Sequence, residues 1–459
     1  MAYIGVQPAD AYTSFAVQHF TTSATTSYTL DNPVANENEI ALFINNVRQE
    51  PGSSYAYTAS GTALTLSAAT SASDTMYCVF IGKAVQTVTP AVGSVTNDML
   101  SGSIATSKLA NQNIGFRNLI INGDMSIAQR GTSVTGSTSS GYLTVDRWNF
   151  ARVGGATFSH SQTTDVPTGQ GFANSYKIES TTGDGAMGAS ELNLLAYYFE
   201  AQNLNSLKWG TGSAESVTLS FWVKATVTGT YIVEFYNNDN SGDQLSASYT
   251  INSANTWEKK TITVVGYTSG AFGNDNNTGM QINWWLGAGS DFQSGSLTGT
   301  WRTYADGNRA VGQVNTFENN NNTFYLTGVQ LEVGTSASDF EFLPYDVNLR
   351  RCQRYFYRQD YNTSGSSLPV SHNYSTGNSY GVFYMPVMMR AKPTLAYSSL
   401  SHFLVLSSLT ASAPTGFAIE GGNGFNQEFR VDRSGLSQGG TAWTRLETAS
   451  ATLDLDAEL

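Results

Sequence analysis

Arg117-Asn118-Leu119-Ile120-Ile121-Asn122-Gly123-Asp124-Met125 decides how this chain is read, together with a distant partner, Phe324-Tyr325-Leu326-Thr327-Gly328-Val329-Gln330-Leu331-Glu332-Val333-Gly334. The first is an apolar run closed by Asn-Gly, a strong turn signal. The second is rich in aromatic and β-branched residues and is closed by Gly334. Both read as strands. Between them, short strands alternate with Gly, Asn, Ser and Thr clusters, the pattern of one β-sandwich whose first and last strands lie side by side.

Outward from this pair, the clearest strands are 216–225, 230–237, 244–251, 257–265, 280–286 and 324–333. Their period is two. Ser220-Phe221-Trp222-Val223-Lys224 and Thr230-Tyr231-Ile232-Val233-Glu234-Phe235-Tyr236 carry aromatics at alternate positions, so one face enters a core and the other meets solvent, a second sheet or a ligand. The stretch 191–200 has helical spacing but reads, in this setting, as a strand plus a short helical turn. Residues 346–358 predict a helix, with Leu349, Cys352, Tyr355 and Phe356 on one side and Arg350, Arg351, Arg354 and Arg358 largely on the others. It reads as a solvated or interchain-paired connector.

Before the sandwich, 12–20, 27–30, 40–45, 55–58, 63–66 and 76–81 predict strands, with turns at Asp31-Asn32-Pro33, Asn45-Asn46, Glu50-Pro51-Gly52 and Ser60-Gly61. From 85 to 115 aromatics vanish, and a nine-residue repeat places Val95, Leu100, Ile104 and Leu109 at matched positions. Matched aliphatics suit three chains sharing an axis better than a free linker. After the helix, strands are expected at 380–385, 395–399, 403–407, 416–420 and 428–432, with an acidic end.

The 459 residues allow about three domains. Charged residues make up only 13% and aromatics 12%, which suits sheets rather than coiled coil or charge-rich disorder. A net charge of −12 argues against nucleic acid. No run approaches the roughly 20 apolar residues of a bilayer span, so no membrane insertion is expected. The opening Met1-Ala2-Tyr3-Ile4-Gly5-Val6-Gln7-Pro8 lacks the marks of a secretion signal, so synthesis in a cytoplasm is expected. Cys78 and Cys352 have no metal-like spacing and read as buried thiols.

The run Asn118 to Met125, continued by Ala128-Gln129-Arg130-Gly131-Thr132 and Val145-Asp146-Arg147-Trp148, resembles the opening of the central domain of bacteriophage tail-fibre proteins. Gly328-Val329-Gln330-Leu331-Glu332-Val333-Gly334 and Phe340-Glu341-Phe342-Leu343-Pro344-Tyr345 are similar to that domain's close. Cys352-Gln353-Arg354-Tyr355 resembles a segment at the seam with the last domain, and 385–394 resembles fibre C-termini. The resemblance covers 118 to 357. It implies a homotrimeric virion fibre with a receptor-binding role and a jelly-roll centre similar to carbohydrate-binding modules. In such modules a calcium is often held between the Asn-Gly turn and an acidic residue of the last strand. Here Thr327-Gly328 stands at the acidic position, so no metal or other cofactor is expected.

The expected architecture is therefore all-β: 1–86, an N-terminal β-domain that attaches to a phage tail or baseplate protein; 87–117, a slender interchain linker; 118–347, the central jelly roll; and 348–459, a C-terminal β tip domain. The expected partner is a host cell-surface glycan, lipopolysaccharide or capsule. A sugar face needs flat rings beside hydrogen-bonding groups, which nominates Trp285, Trp301, Tyr304 and Asp291 centrally and Tyr361, Tyr374, Tyr380 and Trp443 distally. Adjacent Trp284 and Trp285 must point to opposite faces. Asp239 and Asp243 are the weak candidates for a metal, since such loops hold turn residues for conformational reasons. No enzyme is expected, because His19, His160, His372 and His402 lie in no catalytic motif. The carboxylate pairs open to a glycan-degrading spike are Glu191 with Glu200 and Asp239 with Asp243. A structural adaptor fibre is the other alternative.

Overall fold

The structure is a computed structural model that describes residues 15–81, 116–240, 242–361, 367–422 and 424–459. It is nearly all β and forms two compact units, one N-terminal and one spanning 112–459. The repeat carrying Val95, Leu100, Ile104 and Leu109 lies outside the described residues.

In the N-terminal unit, Val17–Phe20, Met76–Phe80, Ile40–Ile44 and Val47–Arg48 form a sheet in that order. Asn45 and Asn46 have φ of 50° and 62°, the pair of positive values that a tight hairpin with right-handed strand twist requires. Two expected turns are absent as such. Ser60-Gly61 lies within one continuous strand, Tyr57–Leu66, and Asp31-Asn32-Pro33 bulges out of the facing strand Ser27–Val34. The bulge keeps the ladder on both sides of a proline that has no N–H to give it. Leu42, Leu64 and the Cys78 thiol fill the core.

The second unit holds two sandwiches. In the central one, the first sheet runs Glu258–Val264, Val217–Ala225, Thr323–Val333, Ser175–Thr182, Thr157–Thr163, Ser133–Ser137. The second runs Gln244–Ile251, Gly229–Asn237, Thr278–Ala288, Leu192–Glu200, Asn149–Val153, Gly141–Tyr142. All these pairings are antiparallel. Trp148, Trp284, Phe150, Phe158 and Phe221 meet in the core between the sheets, each contributing about 1.5–3 kcal/mol by burial. The 191–200 stretch is a strand, Leu192–Glu200, followed by the 3-10 turn Ala201–Leu207.

The opening segment is beside the last strand but is not itself a strand. Asn118 replaces a ladder with its side chain: Nδ2 donates to Val329 O (3.0 Å), and Oδ1 accepts from Leu331 N (3.0 Å). Gly123 O accepts from Val329 N at 2.9 Å. Asn122 and Met125 have positive φ, which a ladder would not tolerate. A Cβ on Gly123 would sit 2.1 Å from Val329 O, so only glycine permits this approach. The last strand gains room for it through a bulge at Gly328, whose φ is 60°.

The helix is Tyr345–Gln353, shorter than 346–358. Phe356–Asp360 instead pairs with Thr452–Asp456, and Arg358 faces Asp454 in that register with Nε and Nη2 at 2.7 and 2.6 Å from its carboxylate. A ladder plus a bidentate ion pair outweighs one more helical turn. Two arginines of the cluster are thus paired within the chain, Arg354 likewise holding Glu200 at 2.6 Å. Cys352 is buried on the inner side of the helix.

The C-terminal sandwich has a seven-stranded sheet, Thr410–Ser412, Phe403–Ser407, Thr441–Leu446, Ser371–Asn373, Asn378–Tyr384, Asn426–Asp432, Gly416–Gly422. It faces a three-stranded one, Phe356–Asp360, Thr452–Asp456, Thr394–Tyr397, across a core that includes Phe383, Phe403, Phe429, Leu453 and Leu455.

Candidate functional site

Trp284 and Trp285 do point to opposite faces of Thr278–Ala288, but neither is exposed. Trp284 enters the main core against Trp148 (5.4 Å between rings) and Phe221 (5.9 Å). Trp285, expected as a sugar platform, is 0% exposed. The segment 289–316 folds over its side of the sheet, held by Val314 N to Thr230 O (3.0 Å) and Thr316 N to Leu286 O (2.8 Å). Under that cover Trp285 packs on Phe292, and its Nε1 donates to Glu234 at 3.1 Å. Glu234 is fully buried, and Arg309 Nε at 2.8 Å and Asn283 Nδ2 at 2.9 Å complete its shell. A buried carboxylate needs such a shell, so these groups are committed to the fold.

Trp301 is half-buried, wedged against Trp209 (5.4 Å) and Tyr267 (5.0 Å), and donates Nε1 to Val265 O at 2.9 Å. Tyr304 lies edge-on to Tyr236 at 5.6 Å and donates to Asp306. Burial and that carboxylate push its phenol up to about 12. Asp291 is exposed on the 3-10 turn Ser290–Phe292. The structure therefore does not assemble the central four into one face.

The C-terminal set behaves differently. In Thr441–Leu446, Ala442, Thr444 and Leu446 are buried, so Trp443 and Arg445 project outward; Trp443 is 44% exposed, with the Arg445 guanidinium 5.5 Å from its ring. Ser371 and Asn373 are buried and His372 is not; His372 faces Thr441 on one side and Tyr380 on the other. Tyr380 faces Arg430. Tyr374, 70% exposed, lies edge-on to Tyr380 at 5.8 Å. Register thus places Trp443, Arg445, His372, Tyr380 and Arg430 on one outer face, with Tyr374 beside it. Tyr361 is exposed at the end of Phe356–Asp360, in the other sheet.

The strand Thr441–Leu446, and with it His372, Arg445 and Arg430 as neighbours, was not read from the sequence. Its signal is the alternation Ala442, Thr444, Leu446 against Trp443 and Arg445. Contrary to the expectation that the chain holds no Gly-x-Ser-x-Gly, Gly377-Asn378-Ser379-Tyr380-Gly381 has that spacing. Its serine is buried within a strand and donates to Ser371 Oγ at 2.7 Å, instead of standing on a strand-to-helix elbow.

The acidic candidates are separately engaged. Asp239 accepts from Gly273 N (2.9 Å) and Asp243 from Tyr267 OH (2.8 Å). Glu191 accepts from Gly188 N (2.7 Å). Burial tends to raise Glu200, but hydrogen bonds from Arg354 and Tyr355 hold it below the usual range. Among the described residues no three His, Cys, Asp or Glu side chains converge as a metal site, and no helix is long and apolar enough to cross a membrane.

No family model and no curated protein matches the chain. Solved structures similar to it include the enzymatically active domain of bacteriophage CBA120 tailspike protein 4, at 14% identity and a TM-score of 0.27 over 48% of this chain. The match spans only 22% of that tailspike chain. The CBM22-1 xylan-binding domain of Paenibacillus barcinonensis Xyn10C is similar at 13% identity and a TM-score of 0.23, over 46% of this chain and 100% of the module. The family 11 carbohydrate-binding module of Clostridium thermocellum Lic26A-Cel5E is similar at 14% identity and 0.23, over 44% and 98%.

Proposed function

We propose that this chain is a phage tail fibre that attaches the virion to a bacterial surface by binding a cell-surface glycan without cleaving it. The observation that carries this is the outer face of the seven-stranded sheet, where Trp443, Tyr380 and Tyr374 lie among Arg445, His372 and Arg430. Exposed rings stack on the C–H faces of pyranoses, while guanidinium and imidazole N–H groups donate to hydroxyls. Each contact is weak. A homotrimer, anchored to a tail or baseplate protein through the N-terminal β-domain, multiplies them into firm adhesion.

The test is full-length protein on an array of bacterial lipopolysaccharide and capsule glycans, with product analysis by mass spectrometry and light scattering for the trimer mass. Binding that falls at least tenfold in Trp443→Ala, without cleaved product, supports the reading. Cleaved product would make the chain a glycan-degrading spike, and absence of any glycan binding would favour a structural adaptor.

A further inference from the structure

A cleft of about 690 Å³ opens within the second unit, between the central sandwich, the helix and the C-terminal sandwich. Gln129 lines it from the central sandwich, Tyr345 and Gln353 from the helix, and Arg358, Asp360 and Tyr384 from the C-terminal side. We propose that this cleft seats a stretch of neutral oligosaccharide, the chain of the surface glycan; the assignment rests on the attachment reading above.

Three observations point there. First, the exposed rings are unpaired: Tyr345 is 64% exposed and Tyr384 77%, neither packs on another ring, and neither hydroxyl bonds to the protein among the described residues. Tyr345 comes from the helix and Tyr384 from the C-terminal sandwich, so each wall offers a flat apolar surface with a free polar tip. Second, the polar lining is mainly amide and hydroxyl, and its one carboxylate, Asp360, disfavours an anionic ligand. Among the described residues Gln353 has no side-chain partner, while the cation of the lining, Arg358, is already neutralised by Asp454 at 2.6 Å. Amides donate and accept, as sugar hydroxyls require, whereas an anionic glycan would call for an uncommitted cation. Third, the walls are fixed to one another. Gln129 Nε2 donates to Phe356 O (2.8 Å), Arg130 pairs with Asp456 (3.0 Å), and Arg390 bridges Ala457 O (2.6 Å) and Asn276 O (2.9 Å). A preformed site loses little freedom on binding, and its volume falls in the roughly 300–1,000 Å³ range of ligand sites.

Tyr384 also ties the cleft to the aromatic sheet face. It alternates outward with Tyr380 and Val382 along Asn378–Tyr384, the inward Ser379 and Phe383 being buried. A long glycan that enters the cleft therefore continues across the outer sheet face toward Trp443, two strands away.

The test uses full-length protein and an array of bacterial oligosaccharides four to six sugars long, both neutral and acidic, followed by titration calorimetry on the strongest ligand. Tyr345→Ala with Gln353→Ala should weaken a neutral ligand at least tenfold, and Tyr345→Phe with native Gln353 should stay within about threefold because the ring remains. The melting temperature should not move, since both side chains lie at the surface. Glycan binding unchanged in the double variant but lost in Trp443→Ala would overturn the cleft and leave glycan attachment standing. Binding confined to acidic glycans would overturn the neutral class, and no glycan binding by the native protein would overturn both. Should the double variant melt early, Gln353→Leu, which keeps volume and removes the amide, replaces it with the same tenfold criterion.

Discussion

Two outward sheet faces of the second unit carry tryptophan, arginine and tyrosine in similar company, and only one of them is open. On the central sandwich, Trp285, Tyr236 and Glu234 lie beneath the segment 289–316, which itself supplies Arg309 to the cluster. On the C-terminal sandwich, Trp443, Arg445 and Tyr380 have no such cover among the described residues, and Trp443 remains 44% exposed. The same residue types are a second core in one place and a candidate sugar platform in the other. Alternation along a strand says which residues leave the main core, but not what lies on top of them.

The largest expected effect tests this contrast. Trp285→Ala should cost about 3–5 kcal/mol, because it opens a cavity and strips a donor from buried Glu234. Trp443→Ala should stay within about 0.5 kcal/mol and alter only binding. Chemical denaturation followed by tryptophan fluorescence measures both, and equal losses would erase the distinction.

Next comes the central core itself. His160 is fully buried, bonded at Nδ1 to Tyr176 OH (3.0 Å), with Nε2 unpartnered. Burial lowers its imidazole from 6.5 to about 4. The unfolded chain takes up the proton first, so this contribution is complete above pH 6.5 and is lost as pH falls through about 4. It amounts to about 3 kcal/mol. His160→Gln should flatten the fall in stability between those values relative to the native protein, and parallel pH profiles would refute the assignment.

A smaller effect attaches to the seam of the sandwich. Gly123→Ala drives a methyl into Val329 O, and a loss of about 1–3 kcal/mol in unfolding free energy, measured by chemical denaturation, is expected. Tolerance of alanine would mean that the opening segment is not pinned to the last strand.

The smallest expected effect is none. Thr327 Oγ1 donates to Asn174 O at 2.7 Å, and Gly328 forms the bulge, so neither supplies a carboxylate near the Asn-Gly turn. A chelator should leave the melting temperature where it was. A large drop would reveal a cation that stabilises the fold by mass action, with Asp239 and Asp243 the first suspects.

Much of this was legible beforehand, because it depends on neighbours in sequence. Period-two patterns marked Val217–Ala225, Gly229–Asn237 and Thr323–Val333 nearly to their ends, and Asn45-Asn46 announced its hairpin by its tolerance of positive φ. Trp443 and Tyr374 are exposed and Tyr380 is half-buried, and the strand register that joins them was not legible. Two departures share a cause in long-range contacts. Asn118 to Met125 resembled a strand because its apolar residues are buried, yet Asn118 and Asn122 satisfy the backbone with side chains, which no periodicity records. The helix was drawn too long because its last residues pair with Thr452–Asp456, nearly a hundred residues away.

By itself, then, the sequence determined the all-β class, the alternation of inward and outward residues and the turn chemistry, since each follows from backbone sterics and side-chain periods within a few residues. Only the tertiary structure decided that 289–316 seals Trp285 while Trp443 stays exposed among the described residues, that Arg354 and Arg358 find carboxylates at Glu200 and Asp454, and that Tyr345 and Tyr384 line one cleft. Burial and pairing of that kind are set by contacts between segments far apart in the chain, and a period of two residues carries no information about them.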